Sequence, residues 1–422
     1  MHRGCRPAGL GRSLAEVRNL ALADVTEDDI RQMRSENETL FVEYKSSLDG
    51  EGYRVAEAAA SFANTLGGWV VIGLGDDGAP SGWVPPKNVT DRLRQILDYW
   101  LDPLPAFAAQ LREHEGVPIG LIRIYESTDT PHVLKNGKVV VRSVAEVRNH
   151  CRVYRPGGID TQIVLRQLAE RGSQAIRDAH HRLDMTGSAQ DAIGMTDDGA
   201  GRRMTGTVAV GAVPIVGDRL RDLAISNTGR RFLDEALLHL AQLDGAAETT
   251  LRPKADGLVC EVELRSHLLD GVPAVPRTAI AAANAAGIIA VAFRFHIQHP
   301  GRLPRVSLGG FRTGIIGPLL RAVVAILDRA ELYGRSILEL RIGDLSMSLM
   351  HDTVKPEPGA PAELPPGVAL DLTTDDGRNF PSIALGGELS LPLPEDGPEI
   401  DALADQWRDD VGRTMGLETL RP

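Results

Sequence analysis

The chain has 422 residues, a net charge of −11 and only 4% aromatic residues. Its length exceeds one ordinary domain, so two or three units with separate cores are expected, and its acidic balance excludes a protein that coats duplex DNA through a global positive field. Three cysteines, Cys5, Cys151 and Cys260, lie far apart without a Cys-x-x-Cys pair, which argues against a disulfide framework or zinc knuckle and fits a reducing cytoplasm.

Residues 1–35 read as a tail and a first helix. The start, Met1-His-Arg-Gly-Cys-Arg, has no apolar run behind its basic residues, so no secretory signal is read there. The helix begins at Thr26, where Thr-Glu-Asp-Asp supplies an N-cap and an acidic first turn. Thr39 to Lys45 alternates, placing Leu40, Val42 and Tyr44 on one face and Phe41, Glu43 and Lys45 on the other, as a strand does. Val55, Ala59, Phe62 and Leu66 recur at helical spacing, and Gly67-Gly68 follows where a left-handed cap is wanted. Trp69 to Leu74 reads as a buried strand and Asp76-Asp77-Gly78 as a turn. A helix over Val89 to Leu101, a strand over Ile119 to Tyr125 and a hairpin around Asn136-Gly137 complete an α+β domain spanning 36–156.

Arg142 to Arg182 holds eight arginines against four carboxylates, a balance of +4 in an acidic chain. Arg142, Arg148, Arg152 and Arg155 are therefore the candidate phosphate contacts, and 157–183 is expected to be a basic helical extension. Residues 184–204 read as a linker rich in Gly, Ser, Asp and Thr. A second α+β domain is expected over 205–354. Its elements are a strand at Val208 to Val216, a helix at Arg231 to Leu243, a strand at Leu258 to Leu264, a small-residue helix at Ala279 to Ala286 running into a strand, and a helix at Ile315 to Glu331. A Pro-rich spacer at 355–366 precedes a hairpin and closing helix over 367–422. The apolar run Ala279 to Phe293 is shorter than the ~20 residues of a bilayer span, so no membrane partner is expected; a homo-oligomer is left open.

Glu43 and Lys45 leave the same face of their strand, and Glu38 sits at its entry. With Asp76 at the end of the next strand, the set holds three carboxylates and a lysine. In order, Glu38-x4-Glu43-Tyr44-Lys45, Phe62-Ala63-Asn64-Thr65-x-Gly67-Gly68, the strand ending Gly73-x-x-Asp76, Pro131 before the hairpin and Val141-Arg142 resemble the Schlafen family's AlbA-like (AlbA_2) core domain over Glu36 to Arg155. It departs after Arg142, where Ser143-Val-Ala-Glu replaces the family's usual Gly-Ser and Thr, and at Gly75, where relatives often carry an acid.

The resemblance implies a mixed sheet with flanking helices and a nucleic-acid partner. In nuclease members the two Glu and the Asp form a metal-dependent ribonuclease site, which implies Glu38, Glu43 and Asp76 as ligands of Mg2+ or Mn2+, Lys45 beside them as a catalytic lysine, and tRNA or another structured RNA as substrate. In many bacterial members only DNA binding is assumed. The chemistry is consistent, because phosphodiester hydrolysis wants carboxylates around a hard cation and a lysine against the developing charge. Asn64, Thr65, Gly67 and Gly68 read as residues that shape the site, since a helix must turn sharply into a strand there.

Gly73-Leu-Gly75-Asp-Asp-Gly78 matches a dinucleotide pattern, yet it leads into Ala-Pro-Ser-Gly-Trp and two acids oppose a pyrophosphate, so no ATP site is expected. His180-His181, His296 and His299 lack a third metal ligand at suitable spacing. The low aromatic content argues against a long stacking platform for single strands. Three readings stay open: a metal-dependent endoribonuclease, a non-catalytic DNA-binding transcriptional regulator whose second domain senses a ligand or partner, and a protein-interaction scaffold.

Overall fold

The computed structural model describes residues 17, 20–35, 38–143, 151–185, 204–215, 227–242, 250–254, 257–264, 277–284, 287–296, 305–343, 347–350, 369–370, 383–393 and 397–414. It is mixed helix and sheet throughout. The chain divides into two compact units, Met1–Ile176 and Arg177–Pro422.

In the first unit, α1 (Glu27–Ser35) is capped by Thr26, whose hydroxyl accepts from the Asp29 amide while the Asp29 carboxylate accepts from the Thr26 amide at 2.8 Å. That reciprocal pair satisfies two amides that a helix start leaves open. The strands β1 (Val42–Lys45), β2 (Gly68–Ile72), β4 (Phe107–His114) and β5 (Val117–Ile124) form a sheet in the order β1-β2-β5-β4. β1 runs parallel to β2 and pairs Glu43 with Val70; the other neighbours are antiparallel. A second sheet is made by β3 (Leu101–Asp102), β6 (Val133–Leu134), β7 (Val139–Arg142) and β8 (Cys151–Tyr154), in that order.

Strand alternation sorts the first sheet into two apolar faces. Val42, Tyr44, Trp69, Val71 and Leu121 pack with Ile30 and Met33 of α1. Val70, Ile72, Ile122 and Ile124 pack with α2 (Gly52–Ala63) and α3 (Val89–Trp100). Alanines at 56, 59, 60 and 63 let α2 lie close to the strands, and Phe62 fills the remaining depth. Each fully buried residue of the size of Phe62 or Val70 contributes about 1.5–3 kcal/mol. Helix α4 (Ile159–Met185) leaves β8 and touches this unit closely. Thr130 donates to the Leu168 carbonyl at 2.7 Å, and a Cβ on Gly172 would fall 2.2 Å from the Thr128 carbonyl oxygen.

The second unit is built on a seven-stranded antiparallel sheet. Its strands are β9 (Met204–Pro214), β10 (Thr250–Lys254), β11 (Gly257–Leu264), β12 (Arg277–Asn284), β13 (Ile289–His296), β15 (Gly334–Gly343) and β18 (Ile383–Leu391), in the order β10-β11-β12-β13-β9-β15-β18. Helices α5 (Asn227–Gln242), α6 (Leu308–Arg329) and α7 (Pro398–Thr414) contribute to its core. β14 (Arg305–Ser307), β16 (Met347–Met350) and β17 (Ala369–Leu370) form a separate three-stranded sheet.

One sequence expectation changes here. The alanine-rich segment read as a helix is strand β12, because it lies between β11 and β13 and pairs along its length with both; the ladder and core packing outweigh alanine's helix propensity. Its alanines at 279, 281 and 283 join the core against α5. Among the described residues one helix, α6, is long and apolar enough to cross a membrane, and 72% of its most apolar window is buried, the pattern of a core helix. Helix α7 seals β18: Trp407 is fully buried and donates to the Gly386 carbonyl at 3.0 Å. A Cβ on Gly387 would come 2.7 Å from a Leu403 methyl and 3.0 Å from the Trp407 ring, so a larger residue there would make those side chains shift.

Candidate functional site

β1 is an edge strand, so the backbone groups of Val42 and Tyr44 on its outer side have no neighbouring strand. Thr39 takes that place at Val42, its hydroxyl accepting from the Val42 amide at 3.2 Å and its amide donating to the Val42 carbonyl at 2.9 Å, and charged side chains add to it. The Tyr44 amide donates to Glu38 Oε1 at 3.2 Å, the Tyr44 carbonyl accepts from Lys45 Nζ at 2.6 Å, and the Val42 carbonyl accepts from Arg142 Nη2 at 3.4 Å. Arg142 also donates to the Leu40 carbonyl at 3.1 Å and to the Thr39 carbonyl.

Glu43, on the opposite side of the strand from Tyr44, faces Phe62 and β7. Lys45 Nζ donates to its Oε1 at 2.7 Å, and Arg142 Nη1 to its Oε2 at 2.8 Å. The Arg142 guanidinium lies 4.3 Å from the Phe62 ring centroid and 3.0 Å from Cys151 Sγ. Glu38 is farther from the lysine, at 3.8 Å. Burial raises the Glu38 pKa above the ordinary carboxylate value, and the Glu43 charge raises it further; Lys45 and the Tyr44 amide oppose, and Asp76 adds a weaker push upward.

The site-shaping residues sit directly beneath. Asn64, fully buried at the end of α2, donates to the carbonyls of His132 at 2.9 Å and Val140 at 3.1 Å, while its oxygen accepts from the His132 amide at 2.7 Å. Thr65 Oγ1 accepts from the Arg142 amide at 2.9 Å. Gly67 has φ +68°, and a Cβ there would be 2.8 Å from the Ile124 carbonyl oxygen. A Cβ on Gly68 would strike the Phe62 ring at 2.2 Å. These residues lock the α2–β2 turn onto β7 and thereby aim Arg142 at Glu43.

Glu38, Glu43 and Lys45 are thus brought together. Asp76 is exposed on the turn that follows β2, near enough to influence Glu38 by charge alone. Among the described residues no group of three His, Cys, Asp or Glu side chains is placed to hold a metal ion. Each Glu43 oxygen already accepts from a cationic nitrogen of the protein, so a divalent cation would have to compete with Lys45 and Arg142 for it. Gly73 to Gly78 closes as a turn, with the Gly75 amide donating to the Ala79 carbonyl at 2.8 Å and Leu74 bridging Pro80.

Of the arginines expected to meet phosphate, Arg142 is 5% exposed and committed to β1 and Glu43, so a phosphate could reach it only by opening that network. Arg152, Arg155 and Arg166 are exposed. Arg148 lies outside the described residues. Arg171, half-buried, donates to the Thr65 carbonyl at 3.1 Å and pins α4 to the end of α2. Cys151 is half-buried; Cys260 is buried beside Asp234, and burial pushes its thiol up to about 12, with the Asp234 charge adding to the shift.

Residues 38–150 match the family model described as Schlafen, AlbA_2. This segment of the chain is a Schlafen AlbA_2 domain. No curated protein matches the chain. Among solved structures, it is similar to the N-terminal domain of a RecG-related protein from Nitrosomonas europaea, with 23% identity over 25% of this chain and 77% of that one, at a TM-score of 0.22. It is also similar to the DIP2311 protein from Corynebacterium diphtheriae, with 21% identity over 28% of this chain and 25% of that one, again at a TM-score of 0.22.

Proposed function

We propose that the chain binds nucleic acid through its Schlafen AlbA_2 domain and acts as a non-catalytic regulator rather than as a strand-cleaving enzyme. The domain match supports a nucleic-acid-related function. The observation that carries the non-catalytic part is the double engagement of Glu43: one oxygen accepts from Lys45 and the other from Arg142, inside the protein. A carboxylate neutralised on both sides serves packing and orientation. Lys45 and Glu38 are likewise spent on the edge of β1.

Exposed Arg152, Arg155 and Arg166 are then the phosphate contacts, acting as a local basic surface in a chain of net charge −11. The second unit is the candidate sensor or partner-binding part.

Fluorescence anisotropy of the full chain against labelled duplex DNA and a tRNA, repeated over a salt series, tests the reading. Binding should weaken with salt, and Arg152→Ala/Arg155→Ala should lower the slope of log K against log salt by ~1 for each phosphate deprived of its arginine. The same mixtures, incubated with Mg2+ or Mn2+, should leave both nucleic acids intact. Cleavage that EDTA stops and Glu43→Ala abolishes would replace the regulator with the metal-dependent endoribonuclease.

A further inference from the structure

Three aromatic rings stand in a row on the first unit, contributed by two helices. Tyr53 comes from the first turn of α2, and Tyr99 and Trp100 from the last turn of α3. Trp100 lies between the other two, edge-on to Tyr53 at 5.2 Å and to Tyr99 at 5.0 Å between centroids. Tyr53 and Trp100 are half-buried against the core, whereas Tyr99 is 59% exposed. A ring of that size left in water at a helix end does little for folding.

The β6–β7 hairpin supplies cations to both ends of the row. Lys135 Nζ sits 3.9 Å from the Tyr99 ring centroid, and its backbone amide donates to the Trp100 carbonyl at 2.9 Å, which fixes the hairpin tip beside the rings. Lys138 Nζ and Asn136 Nδ2 each lie 3.1 Å from the Tyr53 hydroxyl. Arg155 is close enough to act on Lys138 by charge, and Glu57 is the acid that faces the same pair. The tip is held by Gly137, at φ +77°, against Pro156.

We propose that the row Tyr53–Trp100–Tyr99 is a stacking platform for the unpaired bases of a single-stranded nucleic acid whose phosphates pair with Lys135, Lys138 and Arg155. The chemistry matches on both counts. Every base has a π-face that stacks on an aromatic ring, and a strand laid along the row brings its phosphates past the amines. Lys135 is exposed on a flexible stem, so its amine can leave the ring face for a phosphate when a base arrives. The proposal rests on the reading of this domain as nucleic-acid-binding and deepens it by naming unpaired bases as what is recognised.

The test uses the full chain and fluorescein-labelled strands of ~20 nucleotides: oligothymidine, oligouridine, an abasic strand of the same length and a duplex. The wild type should bind oligothymidine or oligouridine more tightly than the abasic strand, and the two homopolymers decide between DNA and RNA. Tyr99→Ala should weaken binding of the preferred strand about tenfold and erase its advantage over the abasic one, while Tyr99→Phe keeps both. Lys135→Ala should weaken the abasic strand as well and lower the salt slope by ~1. If Tyr99→Ala binds as wild type while Arg152→Ala/Arg155→Ala weakens binding, the platform is overturned and the nucleic-acid reading stands. If the wild type binds none of the four probes the platform falls, and if it also fails to bind the tRNA the nucleic-acid reading falls with it.

Discussion

Arg142 and Glu43, 99 residues apart, form a buried ion pair with 2.8 Å between Nη1 and Oε2. The Arg142 side chain is 1% exposed and that of Glu43 8%. Two charges so far from water persist because the remaining hydrogen-bonding capacity of each is used, by Lys45 on the carboxylate and by three carbonyls on the guanidinium.

Removing one partner should therefore cost far more than a surface ion pair. Arg142→Ala is expected to destabilise the first unit by about 3–5 kcal/mol, because it leaves a buried carboxylate half-paired and takes the guanidinium from the Thr39 and Leu40 carbonyls, whereas the Val42 carbonyl keeps the Thr39 amide. Lysine should not rescue it, since an ammonium cannot span Thr39, Leu40 and Glu43 as the planar fork does. Hydrogen exchange of the β1 amides in the full chain is the measurement; near-native protection in Arg142→Ala would show that the pair is dispensable.

Glu38 gives a pH dependence whose sign follows from its raised pKa. The folded state holds the proton more tightly than the unfolded chain, so the group's contribution is fully present below the ordinary value of 4.5 and is lost as pH rises through the higher folded value. At neutral pH the ionised carboxylate is thus a liability. Glu38→Gln keeps an oxygen for the Tyr44 amide without the charge, so its melting temperature should exceed the wild type's at pH 7, with the gap closing toward pH 4.5. A gap that widens on acidification would refute this.

Asn64 should be intolerant of change. Asn64→Ala leaves the carbonyls of His132 and Val140 and the His132 amide unpaired in the interior, at about 1–3 kcal/mol for each buried group that finds no new partner. Asn64→Asp is worse in one respect, since it turns a carboxylate oxygen toward two carbonyls. Thermal melts read by tryptophan fluorescence report on it, because Trp69 and Trp83 lie in this unit's cores.

Much of this architecture is legible along the chain wherever one element suffices. The alternation of Thr39 to Lys45, the spacing of Val55, Ala59 and Phe62, and the Asn136-Gly137 turn each announce their own structure, and Asn64, Gly67 and Gly68 are readable as a helix-to-strand turn. What fails to show is what depends on distant partners. Nothing in Val141-Arg142 says that this arginine turns inward to Glu43 and that Arg152 ten residues on faces water. Phe107-Ala-Ala-Gln-Leu-Arg-Glu-His, with no β-branched residue, becomes a strand because β5 pairs with it along its whole length. The low aromatic count hides the fact that Tyr53 of one helix meets Tyr99 and Trp100 of another.

The way β1 ends the sheet has a further consequence. An edge strand with open amides and carbonyls invites a second chain to add itself there; here Thr39 closes the groups of Val42, and Glu38, Lys45 and Arg142 add side chains of both signs along the same edge. Residues that look like chemistry are also guards against self-association, so neutralising them together would favour oligomers built by strand addition before any change in nucleic-acid affinity could be measured.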